Sequence, residues 1–228
     1  KEVLISSGSI ERPLVFGNND TPGVMLSSAA KEYLKIYGVL VGKKPLIFTN
    51  NDSGYETAIE FKKNGVEPII LDTRKEPNSE IIEEAKNLGI QIKFSYVVVA
   101  AKGYKKVKAA EIAKISDNKN DLGVLENINC DCICVSGFWT PTIHLASQSG
   151  NKTKFDKDID AFVPGISKQN ETTLGAANGT FTLTETLKDS FNAGYELSKK
   201  ITKNDNKISQ PIVVEKNKTT HDKFWCVP

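Results

Sequence analysis

The stretch Lys43 to Asp72, KKPLIFTNNDSGYETAIEFKKNGVEPIILD, decides the fold. Lys44 to Thr49 reads as a buried strand, and Asn50-Asn51-Asp52-Ser53-Gly54 is turn chemistry. Tyr55 to Asn64 sets Tyr55, Ala58, Ile59 and the aliphatic stem of Lys62 at helical spacing. Gly65 stops that helix, and Val66 to Leu71 is a second apolar run that closes on Asp72. Strand, turn, helix, strand and terminal acid make a βαβ half-unit of a dinucleotide-binding fold, the acid lying 18 residues after Gly54.

The turn departs from the fingerprint of such units. With Gly54 as the third glycine of G-x-G-x-x-G, the first two positions hold Thr49 and Asn51. The third glycine serves close helix–strand packing; the second lets the backbone approach a pyrophosphate, and Asn51 puts a side chain there. Asp52 adds a carboxylate at the helix N-terminus, which suits the macrodipole and competes with a phosphate for the same amides. The stretch therefore argues for the fold and against the usual ligand at this turn. Asn50, Asn51 and Asp52 are expected to satisfy the turn itself.

The remaining composition is that of a soluble globular chain: 228 residues, 39% apolar, net charge +2. Nothing marks a nucleic-acid or membrane partner. Thirty residues are basic, and only Arg12 and Arg74 among them are arginine. No run of apolar residues is long enough for a membrane helix, and no signal peptide opens the sequence. A start at Lys-Glu without Met is expected of a piece of a longer or processed protein. Cys130, Cys132 and Cys134 are expected on one face of a core strand as reduced thiols, without a metal. A reducing cytoplasm follows, which leaves the N-x-S/T triplets without meaning for glycosylation.

Outward from the central unit, Val3 to Ser6 is a short strand closing on Ser7-Gly8-Ser9. Ser27 or Ser28 can cap a helix through Tyr37, and Ser79 one through Leu88. Ile90 to Phe94 and Tyr96 to Ala101 read as strands, with a turn at Lys102-Gly103 and a return strand to Ile115. Cys130 to Val135 is a further strand ending on Ser136-Gly137. Thr142 to Ser147 suggests a short helix, and Phe155 to Phe162 is mixed. A small-residue loop, Gly175-Ala176-Ala177-Asn178-Gly179, precedes a long helix, Leu183 to Ile201, capped by Thr182 or Thr184, with Leu183, Leu187, Phe191, Gly194 or Tyr195, and Leu197 or Ser198 inward. From Thr202 the chain is polar and reads as a linker or tail.

Three separated stretches resemble one pattern. Val3 to Ser9 resembles the first strand end of flavoproteins with two dinucleotide-binding domains, the glutathione and thioredoxin reductase type. Ile133 to Pro141, ICVSGFWTP, resembles their second strand end, and Gly175 to Gly179 with its helix their C-terminal cofactor loop. Within that superfamily, Arg12 to Leu26, Phe48 to Tyr55 and Val135 to Pro141 resemble the α subunits of heterotetrameric sarcosine oxidases, in which the Thr-Asn-Asn-Asp-Ser turn also replaces the glycines. The resemblance implies an α/β, Rossmann-like three-layer domain of FAD/NAD(P)-binding type, a parallel sheet with helices plus an antiparallel meander. That inserted domain would span residues 21–128, with 1–20 and 129–201 as parts of an outer cofactor domain and 202–228 as linker.

The same resemblance implies a segment of an oxidoreductase acting on a CH–NH donor, oxidatively demethylating sarcosine to glycine. Formaldehyde would pass to tetrahydrofolate, and electrons would reach oxygen. NAD would be held by the α subunit, FMN near the α–β interface and FAD in the β subunit, with γ and δ subunits as further partners. Sarcosine and folate would be handled elsewhere, so none of the substrate-oxidising residues is expected here. The strand ends at Ser7, Gly8 and Gly137 and the loop Gly175, Ala176, Ala177, Asn178, Gly179 and Thr180 are the cofactor-facing candidates. Small residues before a helix N-terminus offer amides to an anion, and α/β folds bind ligands at the carboxyl edge of the sheet. Two other readings stand beside this one: a ligand-free structural or subunit-contact module, and the equivalent subunit of a proline-, octopine- or nopaline-oxidising enzyme. His144, His221 and Trp139 have no relay or stacking context that favours a catalytic role.

Overall fold

The computed structural model describes residues 1–117, 119, 121–202, 209–210 and 221–227. In chain order the strands are β1 (Val3–Ile5), β2 (Ser9–Glu11) and β3 (Val24–Leu26), followed by helix α1 (Ser27–Tyr37). Then come β4 (Pro45–Thr49), α2 (Ser53–Lys63), β5 (Ile69–Asp72), α3 (Glu80–Asn87), β6 (Gln91–Phe94), β7 (Tyr96–Lys102) and β8 (Ala109–Lys114). The rest is β9 (Glu126–Asn129), β10 (Cys132–Ser136), β11 (Trp139–Pro141), α4 (His144–Gln148), β12 (Thr153–Asp156), β13 (Ala161–Pro164), β14 (Glu171–Thr173), a 3₁₀ turn Gly175–Asn178 and α5 (Leu183–Thr202). The chain falls into two compact units, one of residues 11–138 and 220–228, the other of residues 1–10 and 139–219.

The larger unit is built on a five-stranded parallel sheet in the order β3-β10-β4-β5-β6. Its strands bury both faces, and the alternation of side chains sorts them into two cores. Leu46, Phe48, Leu71, Ile133 and Val135 face the antiparallel meander β7-β8-β9. Ile47, Ile70, Cys132 and Cys134 face the helices, against Ala30, Leu34, Ala58, Ile59, Phe61 and Ile82. Helices, sheet and meander make the three layers that the sequence pattern implied. The order reverses between β4 and β10, so the sheet has a topological switch point at their carboxyl ends.

Several local readings change. The inward residue near the end of α2 is Phe61, fully buried, whereas Lys62 pairs with Glu67 at the surface. Strand β10 begins at Cys132, so Cys130 packs into the meander-side core and the three thiols do not share a face. Ser27 opens α1 without a side-chain cap, and the Ser28 amide is met instead by the Glu11 carboxylate at 2.8 Å. Ser79 stands at the N-cap of α3, but its hydroxyl makes no cap bond. The meander's outer strand β9, sequence ENIN, is polar because it is an edge.

The smaller unit pairs β1 with β14 in parallel and β12 with β13 as a hairpin. Thr182 caps α5: its hydroxyl accepts the Glu185 amide at 3.3 Å and donates to the Glu185 carboxylate at 2.7 Å. The expected inward face of α5 is not buried as read: Leu183 is exposed, Leu187, Phe191 and Leu197 are half-buried, and no residue of the helix is fully buried.

Gly54 carries the tightest contact of the larger unit's first turn: a Cβ there would stand 2.7 Å from the Thr49 Cβ. Gly54→Ala is expected to cost about 2 kcal/mol in chemical denaturation through overpacking of α2 on β4. Gly194 sits inside α5 with nothing within 4 Å of an added Cβ, so Gly194→Ala is expected to stabilise by about 0.5–1 kcal/mol.

Candidate functional site

In a sheet of this order a ligand belongs at the carboxyl ends of β4 and β10. There the turn after β4 binds itself. The Thr49 hydroxyl donates to Asn51 O at 2.8 Å, and the Asn51 amide returns to the Thr49 hydroxyl at 3.1 Å. Asn51 Nδ2 donates to Asn50 Oδ1 and Ser136 O, at 2.9 and 3.0 Å. Its Oδ1 accepts the Ser53 amide at 2.8 Å, so the opening of α2 is met by a side chain. Asn50 and Asn51 are fully buried.

Asp52 does not cap α2; its carboxylate turns to Arg74. Arg74 Nη1 donates to Asp52 at 2.7 Å, while Nη2 and Nε reach Asp72 at 2.8 and 3.0 Å. The Arg74 amide adds a bond to Asp72 at 2.9 Å, and the Tyr55 hydroxyl another at 2.7 Å. Asp72, the acid that closes the second strand of a dinucleotide unit, thus receives four protein donors and is fully buried. Burial pushes its carboxyl up, against the pull of Arg74 and Tyr55. Burial also opposes the Arg74 charge, but Asp72 and Asp52 outweigh it and raise its pKa, so the guanidinium stays charged. The Tyr55 hydroxyl is raised by burial and then by Asp72, and remains a donor.

Residues that dinucleotide units leave for a ribose and a pyrophosphate are therefore bound within the chain. Asn51, Asp52 and the Arg74-bound Asp72 do not fit an adenine dinucleotide at this turn. Beside them lies a cavity of about 260 Å³, lined by Thr73, Arg74, Lys75, Ser95, Lys119 and Asp222. Its lysines are also paired, Lys75 with Asp117 at 3.2 Å and Lys119 with Asp222. In the sequence Arg74 stood out only as one of two arginines among thirty basic residues; the planar bidentate fork that sets arginine apart from lysine was the signal of its role.

The cofactor-facing candidates separate. Gly137 lies in the larger unit, where a Cβ would approach Arg12 O to 2.6 Å, so its glycine serves backbone packing. Ser7, Gly8 and residues 175–180 lie in the smaller unit. The parallel register Ile5↔Thr173 carries both chain segments past the same carboxyl edge, and the Leu174 amide bonds Ile5 O at 3.0 Å. The Ser7 hydroxyl donates to Thr142 O at 2.8 Å, and Gly8, at φ 75°, has open space on its Cβ side. In the loop, the Gly175 amide donates to Asp189 Oδ2, and the Gly179 and Thr180 amides to Ala176 O and Gly175 O, each at 3.1 Å. Asp189 thus brings a carboxylate of α5 to the spot where an anion was expected.

The thiols carry no chemistry here. Cys130 is pushed up to about 12 by burial and then by Cys132 and Asp131. Cys134 is raised by the Cys132 hydrogen bond and by burial. Both stay protonated. Among the described residues, no group of His, Cys, Asp and Glu could hold a metal ion, and no helix is long and apolar enough to cross a membrane.

The fold is that of the FAD/NAD(P)-binding flavoprotein reductases. Thioredoxin reductase of T. acidophilum matches with TM-score 0.69 at 17% identity, over 89% of this chain and 66% of that one. L-proline dehydrogenase of P. horikoshii matches with TM-score 0.58 at 19% identity, over 89% and 35%. At the level of sequence the match is narrower. The chain is 33% identical over 182 residues to the sarcosine oxidase α subunit of Corynebacterium sp. strain P-1, covering 79% of this chain and 19% of that protein. It is 37% identical over 181 residues to the subunit of the same name from Rhizobium meliloti, covering 78% and 17%. The chain matches a segment of that subunit and spans about a fifth of the length of the curated relatives it matches. No protein-family model matches it.

Removing Arg74 strands two acids. Arg74→Ala is expected to cost about 3–5 kcal/mol at neutral pH, read by chemical denaturation. The deficit should shrink as the pH falls. Without Arg74, burial alone holds the Asp72 pKa above its ordinary 3.8, and a raised carboxyl stabilises the fold below its unfolded value and loses that contribution as pH rises. A deficit that instead grew on acidification would show that Asp72 is not the acid left unpaired.

Proposed function

We propose that the chain is part of the α subunit of a sarcosine oxidase, a flavoprotein oxidoreductase acting on a CH–NH donor. The match over about four-fifths of the chain to proteins of that name carries this reading. In it, the enzyme oxidatively demethylates sarcosine to glycine, passes formaldehyde to tetrahydrofolate and reduces oxygen. The flavins, FAD in the β subunit and FMN near the α–β interface, supply the electron-accepting chemistry, and NAD is held by the α subunit. This segment contributes scaffold and part of a dinucleotide site and no substrate-oxidising residue. The β, γ and δ subunits are the partners, and the cytoplasm is the compartment.

The two units take different parts. Ser7, Gly8, Ala176, Ala177 and Asn178 are the remaining candidates to face the cofactor, since their strand end and loop share one carboxyl edge. The larger unit serves as a Rossmann-like scaffold; the enclosed Asp52–Arg74–Asp72 cluster favours this ligand-free role for it. The alternative is the equivalent subunit of a proline-, octopine- or nopaline-oxidising enzyme; an L-proline dehydrogenase and a histamine dehydrogenase are among the solved structures of this fold.

Two measurements test the reading. Calorimetric titration of NAD into the chain is expected to show no binding at the β4 turn; micromolar binding abolished by Asp52→Lys would overturn the scaffold role. The complete subunit, assembled with its partners, is expected to consume oxygen with sarcosine. Turnover with proline or histamine and none with sarcosine would reassign the substrate.

A further inference from the structure

Residues 221–227 occupy the crevice at the switch point. Asn50 Nδ2 donates to Asp222 O and Phe224 O, at 2.9 and 3.0 Å, and the Asp222 amide donates to Asn50 O at 2.8 Å. The Thr73 hydroxyl reaches the Asp222 carboxylate at 3.3 Å, and Lys119 pairs with the same group. The His221 ring stacks on Phe138, centroids 4.0 Å apart and planes 9° from parallel. Further along, the backbone pairs with Val15: its amide donates to Trp225 O at 2.8 Å, and its carbonyl accepts the Val227 amide at 2.9 Å. Arg12 lies 3.5 Å over the Trp225 ring, and Phe224 and Val227 enter the meander-side core.

We infer that the crevice is a receptor for a peptide, the chain's own segment 221–227, and that Asn50 is its anchor. Three properties support this over incidental packing. Asn50 is fully buried, and its amide reads two backbone carbonyls of the segment, as a strand neighbour would. The segment has two buried apolar anchors three residues apart, Phe224 and Val227, with Trp225 half-buried against the same core and Lys223 and Cys226 outward. The contact spans 172 residues of sequence between Asn50 and Asp222, so the segment arrives as a ligand from afar and not as a continuation of the turn. The inference goes beyond the scaffold role proposed above: it assigns the crevice an occupant and a function, fastening residues 221–227 to the larger unit.

Hydrogen exchange on the full chain tests this directly. The amides of Asp222 and Val227 are expected to be protected, with Asn50→Ala accelerating both by about tenfold or more. Unprotected amides in the unmodified chain would overturn the inference. A second measurement does not depend on how Asn50→Ala folds. In the full chain carrying His221→Gly, Phe224→Gly and Trp225→Gly, a labelled HDKFWSV peptide, with serine in place of the cysteine, is expected to bind the vacated crevice. Adding Asn50→Ala should weaken it at least about tenfold. No binding to a chain whose circular dichroism is unchanged would overturn the receptor role. NADH added to the unmodified chain is expected to leave the two amides protected. Their acceleration would show a dinucleotide displacing the segment and would also overturn it, whereas absence of sarcosine turnover touches only the reading of the whole enzyme.

Discussion

The larger unit depends on one guanidinium. Its fold places Asp52 at the opening of α2 and Asp72 at the end of β5, two acids converging on a buried edge. In water-poor surroundings a carboxylate left without a partner is costly. Arg74, two residues beyond Asp72, folds back between them and gives each a charge-assisted bond, with the Tyr55 hydroxyl completing the coordination of Asp72. Lysine would not reproduce this, because its three donors spring from one nitrogen, whereas three separate guanidinium nitrogens in a rigid fork reach the two carboxylates here. The turn, α2 and the end of β5 are held in register by that side chain.

The same arrangement supplies from the chain the partners that a dinucleotide supplies in other Rossmann-like units. A second glycine normally admits the pyrophosphate; here the Asn51 side chain fills that space and ties the turn to Ser136. Helix N-terminal amides normally meet phosphate oxygens; here Asn51 Oδ1 meets the first of them. The strand-end acid normally binds ribose hydroxyls, and here it binds Arg74. Each substitution supplies, from the chain, the group a ligand would have supplied. The fold keeps its geometry because its polar groups are satisfied whichever source provides the partner.

Much of this was legible in the sequence, and the parts that were not have definite causes. The β4–α2–β5 unit follows from two apolar runs, a helical spacing and one glycine at the right distance, all local signals. The departures at Thr49, Asn51 and Asp52 were equally plain, and so was the conclusion that the turn satisfies itself. Arg74 was visible only as a rare residue type, since its role needs two acids 22 and two positions away to meet in space. Residues 221–227 read as tail because their apolar anchors, Phe224 and Val227, are few and their partners lie far back in the chain. The strand β3 is three residues long and gains its identity only by pairing with β10. Gly137 is read two ways: a glycine at a strand end suggested a ligand, and the nearby Arg12 and Pro13 carbonyls give it a packing reason of its own.

The smaller unit obeys a different constraint. A parallel sheet is stable when both faces are covered, yet β1 and β14 contribute three residues each and leave Val3 and Leu4 exposed at 54% and 40%. Its long helix exposes Leu183 and Ile201 at 57% and 68%, and a cavity of about 280 Å³ opens between that helix and the strand pair, lined by Leu4, Thr172, Asp189, Asn192 and Lys200. A 20-residue helix with no buried residue draws little stability from its own unit. Apolar surface of this kind calls for further chain or a partner to cover it. The contrast assigns the two units their places in the argument. One satisfies the polar groups of its β4 turn from within, through Asn51, Arg74 and residues 221–227. The other leaves apolar side chains of β1 and α5 exposed, and its stability depends on what covers them.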